Sequence, residues 1–197
     1  MRIIAGEFKG RVIDSPSERT TRPTTDRVRE SIFSSVYSRL PDLTDVIVLD
    51  AFAGSGALGI EALSRGAASC LFVDSSHRAC TLVRENLRRA GFAQRGQVVA
   101  AHVGRWRPAA GRSFSLVLAD PPYDDAAAWS AIEYSVADAL TEDAVLVVEH
   151  SARREPPAAL MGRPLWRDRR QGDGAVALYR WPGAVGVVSG VDSEASV

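Results

Sequence analysis

Asp50-Ala51-Phe52-Ala53-Gly54-Ser55-Gly56-Ala57-Leu58-Gly59 has the composition of a turn that admits a ligand. It follows an apolar run, residues 46–50, and enters a segment of helical periodicity, residues 57–65. The order is therefore strand, glycine turn, helix. Gly54 and Gly56 allow a tight turn and a close approach of backbone to ligand that side chains would prevent. The stretch contains G-x-G-x-x-G, and Asp74 follows about 20 residues on, as in a nicotinamide-dinucleotide site. Two features point away from that cofactor. Asp50 puts an acid at the strand end, where a dinucleotide fold runs apolar residues straight into the first glycine. Phe52-Ala53 also lengthens the turn. A carboxylate there favours a cation, and S-adenosylmethionine carries both an ammonium and a sulfonium. Asp74, at the end of the next strand, suits ribose hydroxyls in either case.

Working outward, strands and helices alternate. Residues 70–74 read as a strand, and 77–90 as a helix closed by Gly91. Strands follow at 97–103 and 115–119, a helix at 126–140 and a strand at 144–149. After Pro156-Pro157 come a short helix and two runs, 165–169 and 175–181, able to pair antiparallel. This alternation predicts an α/β fold with a mostly parallel sheet of seven strands, covered on both faces, and an antiparallel C-terminal strand. Toward the N-terminus, residues 2–13 alternate around Gly6 and Gly10 as a β-hairpin would. An irregular arginine-rich stretch, 15–25, leads to a helix at Asp26 with Val28, Ile32, Phe33 and Val36 on one face; Pro41 ends it. Three parts are expected: an N-terminal extension, 1–25; a catalytic domain, 26–182; and a small, polar, disordered tail, 183–197.

Bulk properties set limits. A chain of 197 residues, 46% hydrophobic and 24% charged, is one soluble domain with small appendages. Its formal net charge of zero argues against a purely electrostatic nucleic-acid binder. Yet residues 1–39 carry eight Lys/Arg against five Asp/Glu, and 153–170 carry six against two. Both ends are mildly basic and are candidates for phosphate contact. No run of about 18 apolar residues occurs, so no membrane span is expected. The N-terminus turns polar too soon for a signal peptide. Cys70 and Cys80 match no zinc spacing and suit a reducing, cytoplasmic setting.

A second motif, Asp120-Pro121-Pro122-Tyr123, follows the strand at 115–119. Its prolines fix the backbone, withhold two N–H donors and turn the Pro121 carbonyl outward. An exocyclic amine on a base is planar because its lone pair conjugates with the ring, and it must gain sp³ character to attack a methyl group. The Asp120 carboxylate and Pro121 carbonyl can hold both amine hydrogens and favour that geometry, while Tyr123 stacks on the base. If the strands before the two motifs are neighbours at the switch in strand order, Asp50 and Asp120 open into one crevice. A third motif, Thr21-Arg22-Pro23-Thr24-Thr25-Asp26-Arg27-Val28-Arg29-Glu30, has more polar side chains than capping by Asp26 needs, and suits phosphate or cofactor contact. His77, His102 and His150 lack partners at ligand spacing, and Gly54-Ser55-Gly56 is too compressed for a nucleophile elbow.

With these residues in place, the chain resembles the RsmD-type 16S rRNA (guanine-N2)-methyltransferases over about residues 1–181. The discriminating blocks are the N-terminal ones, Arg2-Ile3-Ile4-Ala5-Gly6 with Lys9-Gly10-Arg11 and the Thr21–Glu30 motif, and the match continues through Glu61-Ala62-Leu63-Ser64-Arg65-Gly66-Ala67. The glycine and D-P-P-Y motifs specify only the class. The resemblance implies a Rossmann-like class I methyltransferase that moves a methyl group from S-adenosylmethionine to a guanine N2 in 16S rRNA, within the small subunit or an assembly intermediate. It implies S-adenosylhomocysteine as product; an in-line displacement needs no metal, and the lack of a long unexplained apolar face in the sequence suits a monomer. Asp50, Phe52, Ala53, Gly54, Gly56, Asp74, Ser75, His102 and Val103 would bind cofactor. Asp120, Pro121, Pro122 and Tyr123 would be catalytic. Lys9, Arg11, Arg22, Thr24, Arg27 and Arg29 would meet RNA. Three departures stand out: Asp74-Ser75 where relatives carry Glu first; Ala101-His102-Val103-Gly104 without the acid after the third strand, leaving backbone contacts to adenine; and Gln171-Gly172-Asp173-Gly174 in place of aromatic-Gly-Asp-Thr. A DNA adenine-N6 or protein glutamine methyltransferase can use the same D-P-P-Y site, and a nicotinamide oxidoreductase is the rival from another class.

Overall fold

The central strands are apolar on both faces, so both faces must be covered. The computed structural model describes residues 1–15, 26–122, 125 and 127–182. Its elements are α1 (Asp26–Tyr37), β1 (Ile47–Ala51), α2 (Ala57–Ser64), β2 (Ser69–Asp74), α3 (His77–Ala90) and β3 (Gly96–Ala100), followed by β4 (Phe114–Ala119), α4 (Ala128–Val136), β5 (Leu140–Ser151), β6 (Ala159–Leu160), β7 (Arg163–Gln171) and β8 (Gly174–Tyr179). The strands form one sheet in the order β3-β2-β1-β4-β5-β8-β7-β6. Neighbours from β3 to β5 are parallel, and β8, β7 and β6 continue the sheet antiparallel.

Alternation of side chains along each strand divides the core in two. Val48, Phe72, Leu118 and Val147 cluster with residues of α1, α2 and α3. Leu49, Val73, Val117 and Val148 cluster with Ile132 and Val136 of α4. Each such side chain, taken fully out of water, stabilises the fold by about 1.5–3 kcal/mol before chain entropy is counted. The chain steps outward from β1 to β3, then returns to the far side of β1 as β4. Strand order reverses there, the switch point at which open α/β sheets form a ligand crevice beyond the carboxyl ends of their strands, here β1 and β4. The two strands pair in parallel, Ala51 opposite Ala119, as the two motifs required.

Several expectations change. The sheet has eight strands, because the segment after Pro156-Pro157 is the short β6 and not a helix. Met161 (φ 52°) and Gly162 (φ 73°) are both left-handed, the pairing that reverses a tight hairpin, and they fold β6 back onto β7. The helix α4 stops at Val136, and β5 begins at Leu140, opposite Phe114. The N-terminal hairpin forms as a short antiparallel pair around the Arg2–Val12 bridge, with the Ile3 N–H donating to the Arg11 carbonyl (2.9 Å) and the Ile13 N–H to the Met1 carbonyl (3.0 Å). Other amides of the segment turn to α2: Ile4 and Ala5 donate to the Glu61 carboxylate (2.8 and 3.0 Å), and Glu7 donates to the Ser64 carbonyl (2.7 Å). Residues 183–197 and most of 15–25 lie outside the described residues.

Candidate cofactor and acceptor-base site

Asp50 reaches the crevice from β1 but is sealed from water, 1% exposed, with Oδ2 accepting the Gly59 N–H at 2.8 Å. Burial pushes its carboxyl well above the ordinary range. The Gly59 bond opposes this, while the charges of Asp120 and Asp74 add to it. Two neighbouring acids thus act on Asp50 across the turn, an environment that a cation would relieve. Phe52 (φ 59°), Gly54 (φ 55°) and Gly56 (φ 78°) are left-handed; for Phe52 this is strained, and such strain clusters at ligand sites. Gly56 at the N-cap of α2 has no side chain to offer, and the Asp50 carboxylate takes the Gly59 N–H of the first turn in its place. A Cβ on Gly59 would lie 2.4 Å from Phe72 Cε1 and 2.6 Å from Cys70 Sγ. Glycine there lets α2 lie close against β2.

Asp74 is clamped to the turn. Its Oδ2 accepts the Gly54 N–H and its Oδ1 the Ser76 N–H, both at 2.8 Å. A carboxylate has about four acceptor directions, so this pair fixes its orientation and leaves directions for hydroxyl donors. Beside it, the Ala101 N–H donates to the Asp74 carbonyl (2.9 Å), which draws the loop after β3 to the same edge. Ser75 and His102 are exposed there. His102 Nδ1 lies 2.6 Å from the Val103 carbonyl. The Val103 side chain is buried in the core, so only its backbone can serve a ligand.

Asp120 leaves β4 with its N–H on the Ala51 carbonyl (3.4 Å), which ties the two strand ends together. Pro121 is buried and Pro122 exposed. The Pro122 carbonyl accepts the Asp125 N–H (3.0 Å), and Asp125 Oδ1 accepts the Ala127 N–H (2.9 Å), which leads into α4. Tyr123 lies outside the described residues. Pro121 and Pro122 border a shallow open depression shared with Trp129, Glu149, His150 and Arg154.

Among the expected RNA contacts, Lys9, Arg11 and Arg27 are exposed, and Arg22 and Thr24 lie outside the described residues. Arg29 does not fit the expectation. It is 1% exposed and donates to the Arg2 carbonyl and Asp26 Oδ1, both at 2.7 Å. It is a strut between α1 and the N-terminal segment, since a sealed guanidinium cannot meet a phosphate. Two residues of consequence escaped the sequence reading. Glu61 holds the N-terminal segment, as above. Asn86, fully buried, accepts the Asp14 N–H (2.8 Å) and donates to the Ser55 carbonyl (2.9 Å), joining that segment to the glycine turn. The available signal was a polar residue on the apolar stripe of a helix. Among the described residues no group of three or more His, Cys, Asp or Glu could hold a metal, and no helix is long and apolar enough to cross a membrane.

Residues 1–180, from the N-terminal segment through β8, match the family model described as "Conserved hypothetical protein 95". The chain belongs to this family. A curated relative, "Ribosomal RNA small subunit methyltransferase D" of Escherichia coli (strain K12), is 33% identical over 183 residues, 91% of this chain and 89% of that protein. "Putative rRNA methyltransferase YlbH" of Bacillus subtilis (strain 168) is 36% identical over 187 residues, 91% of this chain and 98% of its own length. The solved structure described as "Putative methyltransferase yhhF from Escherichia coli" superposes with a TM-score of 0.77 at 32% identity, covering 92% of this chain and 97% of that one. The fold is the Rossmann-like fold of these methyltransferase relatives.

Proposed function

We propose that this protein transfers a methyl group from S-adenosylmethionine to the exocyclic N2 of a guanine in 16S rRNA of the small ribosomal subunit. The observation that carries the reading is the convergence of the two motifs at the paired ends of β1 and β4, where the Asp120 N–H meets the Ala51 carbonyl beside Asp50. The family's rRNA methyltransferase relatives support the acceptor. When bound, S-adenosylmethionine supplies an electrophilic methyl group on a sulfonium. The Gly54/Gly56 turn receives the methionine end, with Phe52 and Ala53 shaping the turn and the sealed Asp50 beneath it favouring the ligand's positive charge through the field and not by contact. Asp74 takes the ribose hydroxyls, and Ser75, His102 and the Val103 backbone border the adenine. Asp120 and the Pro121 carbonyl hold the two amine hydrogens, Pro122 stiffens the loop, and Tyr123 stacks on the ring. The N2 lone pair forms the N–C bond as the S–C bond breaks, its electrons pass to sulfur, and the methylated amine then loses its proton to solvent. The task is chiefly positioning, for which effective molarities of about 10⁵–10⁸ M are available. Lys9, Arg11, Arg22, Thr24 and Arg27 would steady the RNA, and the target base must leave its stack to reach the crevice. The protein works as a cytoplasmic monomer in this reading.

The test offers labelled S-adenosylmethionine with small-subunit particles, free 16S rRNA, DNA or protein, alongside calorimetry with S-adenosylhomocysteine and with NAD. Label in N2-methylguanosine of 16S rRNA is the expected result. Label in DNA or protein instead, or binding of NAD in preference to S-adenosylhomocysteine, would overturn it.

A further inference from the structure

Asp120-Pro121-Pro122-Tyr123 can hold the exocyclic amine of guanine or adenine, so the motif alone does not choose between them. The ring nitrogen beside the amine does differ: N1 of guanine carries a hydrogen and donates, whereas N1 of adenine accepts. A discriminating site needs a pure acceptor next to Asp120. We infer that Glu149 is that acceptor and selects guanine by taking its N1–H; the inference rests on the guanine-N2 reading above.

The placement follows from the sheet. Ala119 pairs with Val148 across β4 and β5, so Asp120 and Glu149 come next, side by side. They continue the side-chain parity of Leu118 and Val147, which belong to one core cluster. Adjacent strands lie about 4.8 Å apart, a spacing that two acceptors on one base edge can span. Glu149 also borders the depression next to Pro121 and Pro122. It sits half-buried at the strand end. The buried Arg29 guanidinium, on the same face, feels its charge and gives the carboxylate a cationic neighbour. An ionised carboxylate only accepts, so it suits guanine N1–H and opposes the N1 lone pair of adenine.

The test replaces Glu149 with Gln, whose amide can donate as well as accept. Small subunits are assembled on 16S rRNA ligated to carry guanine or 2,6-diaminopurine at the methylated position; the analogue keeps the 2-amino group but has no N1–H. The wild-type protein should prefer guanine by about 100-fold or more in kcat/KM, as expected where a buried polar group would be left unpaired. Glu149→Gln should narrow that ratio by about tenfold or more, because a single hydrogen bond to a charged group carries about that much discrimination. Glu149→Asp, which keeps the acceptor, should retain the preference. Binding of S-adenosylhomocysteine by each variant within about twofold of wild type would verify an intact cofactor site. An unchanged guanine-to-diaminopurine ratio in Glu149→Gln, or a lost preference in Glu149→Asp, overturns the role of Glu149 and leaves the proposed function standing. A wild-type protein active on DNA or protein but on neither RNA acceptor overturns the proposed function, and this inference with it.

Discussion

Asp50 has a carboxyl that burial and two like charges hold well above the ordinary range. In the unfolded chain the same group ionises near 3.8. Between that value and the raised folded one, the folded state keeps a proton that the unfolded state has lost. Stability must therefore fall as pH rises through this window and level off above it. Asp50→Asn should remove the slope from the apo protein's Tm-against-pH curve; a slope unaltered by the substitution would contradict the burial argument. A bound sulfonium favours the ionised form, so cofactor stabilisation should grow with pH over the same window. Asp120 has a different task, since its carboxylate and the Pro121 carbonyl are assigned to the acceptor amine and not to the cofactor. Asp120→Ala should leave S-adenosylhomocysteine affinity within about twofold by calorimetry and lower the transfer rate by about 100-fold, the size of one to two hydrogen bonds to a charged group. Near-normal turnover would end that assignment.

The N-terminal segment shows what holds one element on another. Its two arms pair with each other through Ile3 and Arg11 and through Met1 and Ile13, and the amides left over are satisfied by Glu61 and Ser64 of α2 and by Asn86 of α3. Its tightest approach is at Gly6 (φ +86°), where a Cβ would lie 1.8 Å from the Ser64 carbonyl oxygen. Gly6→Ala should therefore undock the segment, with hydrogen exchange of residues 1–15 accelerated by about tenfold or more while β1, β2 and β4 stay protected. Equal protection of both regions in the variant would show that the docking does not depend on this contact. Legibility in the sequence divides along the same line. The glycine turn, β1 to β4 and the helices between them were readable, because period, apolar runs and capping glycines are local signals. The docking was not, because Glu61 and Asn86 act on residues more than fifty positions away. Arg29 looked like a phosphate ligand for the same reason: sequence shows its charge, while only the fold shows it sealed beneath Arg2. The Met161-Gly162 turn was equally hidden, since methionine seldom takes a left-handed conformation.

At the scale of the molecule, strand order turns two distant motifs into one site. Asp50 and Asp120 are far apart in sequence and meet only because β4 returns beside β1. That meeting was derivable in advance from the switch-point rule, which is why the crevice was legible although its depth and lining were not. The end of β2 at Asp74 and the end of β4 at Pro121 then lie on either side of it, with the exposed Lys9, Arg11 and Arg27 on the N-terminal segment and the start of α1. The central claim is that this crevice methylates one guanine N2 of small-subunit rRNA. Nucleoside mass spectrometry with site mapping of 16S rRNA, from cells with and without this gene, tests it most directly. The account predicts that one N2-methylguanosine disappears with the gene and returns with the wild-type copy but not with Asp120→Ala. An unchanged set of N2-methylguanosines, or loss of a modification on another base, would contradict it.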